Sequence, residues 1–176
     1  AESVFAPAGA EDVVLPPQSV VRVGLAPLLE DTGSRDSTRP YGVQVDSTVE
    51  TTAGLVMFVE GDLAQGVPTP PLTGPATVAL PAAEKELVLG GASSPGVVTV
   101  SLWDQAGRSL PDRRVEIGSD RGFVVDLPDR VRLMTVTPER ASVAASVLVT
   151  GDGATLVGLR EPLLTGLEPF VRPGLP

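Results

Sequence analysis

Carboxylates, hydroxyls and arginines are the only residues here in numbers that could do chemistry. The chain has no His, no Cys and a single lysine, Lys85. That excludes a Ser-His-Asp triad, a thiol nucleophile, a Cys/His zinc site and a disulfide framework. Asp31, Asp36 and Asp46 lie in or beside a polar loop, Asp31-Thr32-Gly33-Ser34-Arg35-Asp36-Ser37, and hard cations take several oxygens from loops of this kind. The spacing departs from the EF-hand pattern and Arg35 and Arg39 stand among the ligands, so a solvated loop is the plainer account. Paired carboxylates can also hydrolyse glycosides. Such clefts are lined with aromatics, and this chain offers Trp103, Tyr41, Phe5, Phe58, Phe123 and Phe170, most of them at positions that read as core.

Serine chemistry fares no better. The Gly-x-Ser-x-Gly elbow is absent, and Gly91-Ala92-Ser93-Ser94-Pro95-Gly96 approaches it with the wrong spacing. Ser-x-x-Lys is absent because Ala82 stands three residues before Lys85, which leaves no serine with a base. Both glycine-rich phosphate loops are missing. The expectation is a non-enzymatic protein with no cofactor and no metal.

Arginine is the one enriched functional group. Arg108, Arg113, Arg114, Arg121, Arg130 and Arg132 face Asp112, Glu116, Asp120, Asp126 and Asp129 in the same stretch, a balance of +1. Surface ion pairs explain such a mixture, and an Arg-rich protein interface is the alternative. A glycan site would need a flat Trp or Tyr facing solvent, for which Trp103 and Tyr41 are the candidates. The whole chain carries −9, a field that repels nucleic acid and anionic lipid.

The elements that must position these groups are strands. Apolar residues at 42% suffice for a core, while 19 Gly and 18 Pro are too many for a helical bundle. Period-two alternation marks Ser19–Leu25, Tyr41–Asp46, Leu55–Val59, Val97–Trp103, Val115–Ile117, Phe123–Leu127, Leu133–Thr137, Val143–Val149 and Ala154–Leu159. Turns are expected at Glu60-Gly61-Asp62, Asp104-Gln105-Ala106-Gly107 and Gly151-Asp152-Gly153, and Pro16-Pro17 and Pro111 are expected between strands. The one weak helix candidate is Ala82–Leu89, bounded by Pro81 and Gly90. The longest uncharged run, Leu63–Ala83, carries five prolines and cannot cross a bilayer as a helix. Ala1-Glu2-Ser3 lacks the regions of an export signal, so either the protein is cytosolic or a leader has been removed.

Two stretches match. Val43–Ser47 and Leu55–Asp62 parallel Met134–Pro138 and Ala145–Asp152, each preceded by an alternating strand, Val20–Val23 and Val124–Leu127 respectively. One residue of gap is needed in the second half of the match. A duplicated β unit accounts for this, and strands that merely share alternation are the plainer account. Duplication divides the chain into a first β unit (1–66), a Pro-rich linker (67–81), a second β unit (82–162) and a Pro/Gly-rich tail (163–176), with the two units free to share one core.

The set Val98-Thr99-Val100, Gly107, Val115, Val125-Asp126-Leu127 and Val136-Thr137-Pro138 resembles a family of exported actinobacterial proteins grouped as a domain of unknown function. The resemblance spans about Glu11 to Pro162. A family serine before the central proline is not evident here, Thr137-Pro138 taking its place in one unit and Asp46-Ser47 in the other. The resemblance implies an extracytoplasmic protein, secreted or anchored through another segment, and a cell-envelope role near membrane glycosyltransferases. It supplies no catalytic residues. Twelve Arg against one Lys, no Asn and a single Ile agree with coding from a GC-rich genome.

The fold expected is all-β, an Ig-like sandwich of one or two units of short antiparallel strands. Its expected core is Val21, Val23, Val43, Val45, Val56, Phe58, Val98, Val100, Leu102, Ile117, Val125, Leu127, Val136, Val147 and Val149. The expected function is an envelope module docking onto a protein partner through strand edges and the Arg108–Arg132 face. Carbohydrate binding through Trp103 and Tyr41 is the alternative. No nucleic-acid partner is expected.

Overall fold

A computed structural model of the chain describes residues 2–3, 13–25, 42–59, 61–92, 94–119 and 121–162. Eleven strands run through them: β1 (Glu2–Ser3), β2 (Leu55–Val59), β3 (Asp62–Gly66), β4 (Ala76–Ala79), β5 (Glu84–Gly90), β6 (Gly96–Asp104), β7 (Ser109–Ile117), β8 (Arg121–Leu127), β9 (Val131–Glu139), β10 (Ala144–Thr150) and β11 (Ala154–Gly158). No helix occurs among the described residues, and none is long and apolar enough to cross a membrane. The protein is an all-β sandwich.

Two antiparallel sheets form it, one in the order β1-β8-β5-β10-β11 and the other β4-β9-β6-β7, with β2 and β3 as a separate hairpin. Alternation decides which side chains meet. Leu87 and Leu89 of β5, with Val147 and Val149 of β10, point inward from one sheet, opposite Val98, Val100 and Leu102 of β6 and Met134 and Val136 of β9. These residues are almost wholly removed from water, and their burial is the main force holding the sheets together. Lettered from β4, the sandwich keeps the B–E pair (β5, β8) and the F–C–C′ set (β9, β6, β7) of an immunoglobulin-like fold, while its first and seventh strands, β4 and β10, exchange sheets.

Turn chemistry follows the residues. Gly107 has φ +73° and closes the β6–β7 hairpin, a conformation that costs glycine nothing. Pro111 lies within β7 rather than between strands. Val100 pairs with Arg113 and Leu102 with Leu110, so Pro111 and Asp112 together oppose Ser101 in a bulge. An edge strand tolerates a residue without an N–H at such a point.

Lys85 is the only buried charged side chain among the described residues, 3% exposed. Its ammonium donates to the carbonyl oxygens of Pro81 (3.1 Å), Ala83 and Asp129 (3.1 Å), using all three donors. Burial pushes its pKa below the usual lysine value. Arg132 adds to the shift and Asp129 opposes it. The side chain ties the β4–β5 loop to the β8–β9 turn.

Several expectations are corrected. Ala82–Leu89 is not helical, since β5 pairs with β8 on one side and β10 on the other, and two full ladders outweigh a short helix. The stretch 67–81 is not simply a linker. Leu72 exchanges backbone hydrogen bonds with Val143 (2.8 and 3.1 Å), β4 pairs with β9, and Leu72, Ala76 and Leu80 are core. Pro75 and Pro81 flank β4, where their missing N–H groups cost no ladder bond. Val20–Leu25 and Val43–Asp46 carry no strand. Of the expected core, Val98, Val100, Leu102, Ile117, Leu127, Val136, Val147 and Val149 are buried, and Val125 packs against them. Val21, Val23, Val43, Val45, Val56 and Phe58 are exposed instead, because among the described residues no opposing sheet covers them.

Candidate functional site

The six arginines do not converge on one face. Arg108 sits in the β6–β7 turn, its Nε 2.8 Å from Asp104 Oδ2. Asp104 Oδ1 also accepts from the backbone N–H groups of Arg108 (3.0 Å) and Ala106 (2.9 Å). The Arg108 backbone N–H is the foremost cause that holds the Asp104 carboxyl below its ordinary range; burial opposes it, and the Arg108 side chain and the Ala106 N–H add to the lowering. Arg113 and Arg114 lie on the edge strand β7. Arg114 reaches Glu139 at 3.7 Å, and Glu139 accepts from Thr99 Oγ1 at 2.9 Å. Arg130 and Arg132 belong to the β8–β9 turn and the start of β9, and Arg132 Nη1 donates to the carbonyls of Asp129 and Val131. Arg121 opens β8 after the β7–β8 turn, remote in the chain path from the turns that hold Arg108 and Arg130. The set is thus split between two sandwich ends and one edge.

Trp103 stands on the outer face of the four-stranded sheet, paired with Leu133 and Ser109, and is half-buried. It lines a shallow, open depression with Pro81, Asp104, Gln105, Arg132 and Leu133. Two rows of hydroxyls continue along that face. Thr77, Thr135 and Ser101 are register neighbours, as are Thr137 and Thr99, and Thr77 and Thr135 share a hydrogen bond of 2.8 Å. Tyr41, Asp31 and Asp36 lie outside the described residues, whereas Asp46 accepts from Gln44 Nε2 at 3.2 Å. No group of three metal-ligating side chains forms among the described residues.

The sequence reading missed the surface of the β2–β3 hairpin. Val56 pairs with Gln65 and Phe58 with Leu63. Val56, Phe58 and Leu63 are 58%, 81% and 44% exposed. Ala64 of β3 is buried, and β3 runs beside β11. Asp62 Oδ2 accepts from Ala154 N at 3.0 Å, and Thr69 Oγ1 lies 3.1 Å from Ser146 Oγ. Gly158 permits this approach, since a Cβ there would stand 2.8 Å from Thr69 Oγ1. Leu148, outside the main core cluster, is only 9% exposed, on the strand where the segment after β3 passes Ser146. The available signal was that every residue of Leu55–Val59 is apolar, so one face of the strand has to find a cover outside its own sheet.

At the far end of this segment, Glu161 accepts from the backbone N–H groups of Thr73 and Gly74 (2.7 Å for Gly74) and from Thr73 Oγ1 (3.0 Å). Those bonds lower its pKa, the Thr73 N–H most, against a small opposing effect of burial. Comparison with protein-family models, with curated proteins and with solved structures gives no match.

Proposed function

We propose that the chain is a non-enzymatic binding module that docks onto a protein partner of the cell envelope. The observation that carries this reading is the outward face of the β2–β3 hairpin. A phenylalanine four-fifths exposed, beside a cross-strand leucine and a neighbouring valine, is the composition of an interface centre rather than of a solvated sheet face. The edge strand β7 supports strand addition less well. Its bulge at Pro111 and its run of Asp112, Arg113, Arg114 and Glu116 are the features with which sheets discourage edge pairing. The extracytoplasmic location, and a membrane glycosyltransferase as the partner, rest on the family resemblance.

The test is a pull-down from detergent-solubilised envelope of the encoding organism, with three baits: the unaltered chain, Phe58→Asp/Leu63→Asp, and Arg113→Glu/Arg114→Glu. The account expects one stoichiometric protein retained by the first and third baits and lost by the second. Equal retention by all three would overturn the assignment of the hairpin face.

A second reading, binding of envelope glycan, is favoured by Trp103. Its ring lines an open depression with Gln105 and Arg132, and a sugar ring stacks on such a platform while the Thr and Ser rows supply donors and acceptors. Quenching of Trp103 fluorescence by soluble envelope polysaccharide, abolished in Arg132→Ala, would support it. Emission unchanged at saturating polysaccharide would exclude it.

A further inference from the structure

The alternation of β9 breaks at Arg132. Trp103 of β6 pairs with Leu133 and Asp104 with Val131, so Arg132 is the extra residue of a bulge. Residues 131 and 133 of a regular strand share a face, yet Val131 is wholly buried and Leu133 is 39% exposed. The bulge turns Arg132 out beside Leu133, and both line the depression that holds Trp103. The backbone at this point is fixed, since Arg132 O accepts from Leu80 N at 2.9 Å.

Two main-chain carbonyls also fix the guanidinium. Arg132 Nη1 donates to Asp129 O and to Val131 O, which uses both of its hydrogens. The hydrogens left over are those of Nε and Nη2, the side of a guanidinium that takes a carboxylate through two parallel bonds. Among the described residues no carboxylate sits there, and the ion pairs are Arg108 with Asp104 and Arg114 with Glu139. Asp104 lines the same depression, but its oxygens are committed to Arg108 and to the Ala106 N–H. The segments that build this corner, 81–85, 103–108 and 129–133, hold Lys85, Arg108, Arg130 and Arg132 against Glu84, Asp104 and Asp129. Four positives less three negatives leaves +1 in a chain of −9, so an anion meets no local repulsion, and distant charges are screened.

The rest of the face selects the kind of anion. Trp103 and Leu133 are register partners and give the depression an apolar wall. A ring that carries a carboxylate can stack on the indole while its acid reaches Arg132. An extended peptide is served poorly, because β6 lies between β7 and β9, and β9 between β6 and β4. Their main-chain groups are spent on ladders and none is offered for strand addition. Hydroxyls are offered instead. Ser101, Thr135 and Thr77 form the next row of the face, two residues or about 7 Å along the strands, and suit the hydroxyls of adjoining sugars.

We propose that the Trp103 depression binds a carboxylate-bearing sugar of a polysaccharide, with the acid held side-on by Nε and Nη2 of Arg132 and the sugar ring stacked on Trp103. Adjoining sugars run over the row of Ser101, Thr135 and Thr77. Because the guanidinium is already held by carbonyls, little of its freedom is lost on binding. This inference rests on the glycan reading, specifies its sugar, and is independent of docking through the hairpin.

The probes are tetrasaccharides containing glucuronate, galacturonate or N-acetylmuramate, each beside its carboxyl methyl ester, titrated into the intact protein. Trp103, the only tryptophan, reports binding by its fluorescence. At least one acid should bind about tenfold or more tightly than its ester. Arg132→Ala and Arg132→Gln should bring that acid down to the affinity of the ester, and Arg132→Lys should recover only part of the difference. Arg130→Ala, in the same turn, should leave the preference intact. The comparison on the unaltered chain decides the matter even if a variant folds poorly. Acid and ester bound equally would overturn the carboxylate site and retain glycan binding. No tetrasaccharide bound would also overturn it, and the glycan reading then stands or falls on quenching by whole envelope polysaccharide. Loss of the preference in Arg130→Ala as large as in Arg132→Ala would replace the site by a diffuse field. A short peptide with a free C-terminal carboxylate that binds more tightly than every acid sugar would overturn the saccharide assignment.

Discussion

Truncating Leu72 separates a strand of the sandwich from a tether beside it. The side chain is 1% exposed, sits in the core, and its backbone is fixed by reciprocal hydrogen bonds to Val143. Leu72→Ala removes three buried carbon atoms, a transfer loss of roughly 2.4 kcal/mol at about 0.8 kcal/mol each. Part of the vacated volume stays empty because the two sheets hold their separation, which brings the total to about 3 kcal/mol. For a sandwich of this size that is on the order of 15 °C in Tm. Phe58→Ala is the matched control. It deletes a larger apolar group, but one that is 81% exposed, and the expected change is within about 0.5 kcal/mol. Urea unfolding followed by Trp103 fluorescence measures both, with the m-value checked for constancy. A Leu72→Ala loss below about 1 kcal/mol, or no larger than that of Phe58→Ala, would refute the placement of residues 72–80 in the core.

Further outcomes follow from the charged groups. Lys85→Met keeps the buried stem and orphans the carbonyls of Pro81, Ala83 and Asp129. Each lost bond to the ammonium costs about 1.5 kcal/mol and the relieved desolvation returns part of the sum, so a net loss of roughly 2 kcal/mol is expected in urea unfolding. Glu161, whose folded pKa lies below the ordinary 4.5, contributes stability that is complete above about pH 4.5 and disappears as pH falls through the lowered value. Glu161→Gln should therefore lower Tm in the neutral region and flatten the acid limb of a Tm-versus-pH curve, the two curves converging at low pH. Glu86 behaves in the opposite sense, because burial first and then Asp126 and Glu84 raise its pKa. Its charge opposes folding above the raised value, and Glu86→Gln is expected to raise Tm at pH 7, the gain vanishing below about pH 4.

The second half of the chain was legible because each strand finds its neighbours within it. Val98, Val100 and Leu102 alternate in sequence and are buried in space, and the turns at Gly107 and Gly151 to Gly153 fall between the strands they were expected to join. The same alternation misled at Val21, Val23, Val43 and Val45, since alternation says which residues can face a core and not whether an opposing sheet exists. β4 and Leu72 were hidden by prolines that flank the strand rather than interrupt it. The arginine set looked coherent along the chain, but hairpin turns send Arg108, Arg114 and Arg121 to different parts of the sandwich. Phe58 was read as core for the reason it is interesting, an apolar side chain at a regular position that is left 81% exposed.

Site-specific photo-crosslinking tests the central claim most directly. A photoreactive phenylalanine analogue is placed at position 58 and, separately, at position 113, and each protein is irradiated with envelope membranes of the encoding organism. The account predicts one crosslinked protein from position 58, lost on adding Leu63→Asp, and none from position 113. Crosslinks from position 113 alone, or from neither position, would contradict docking through the hairpin face.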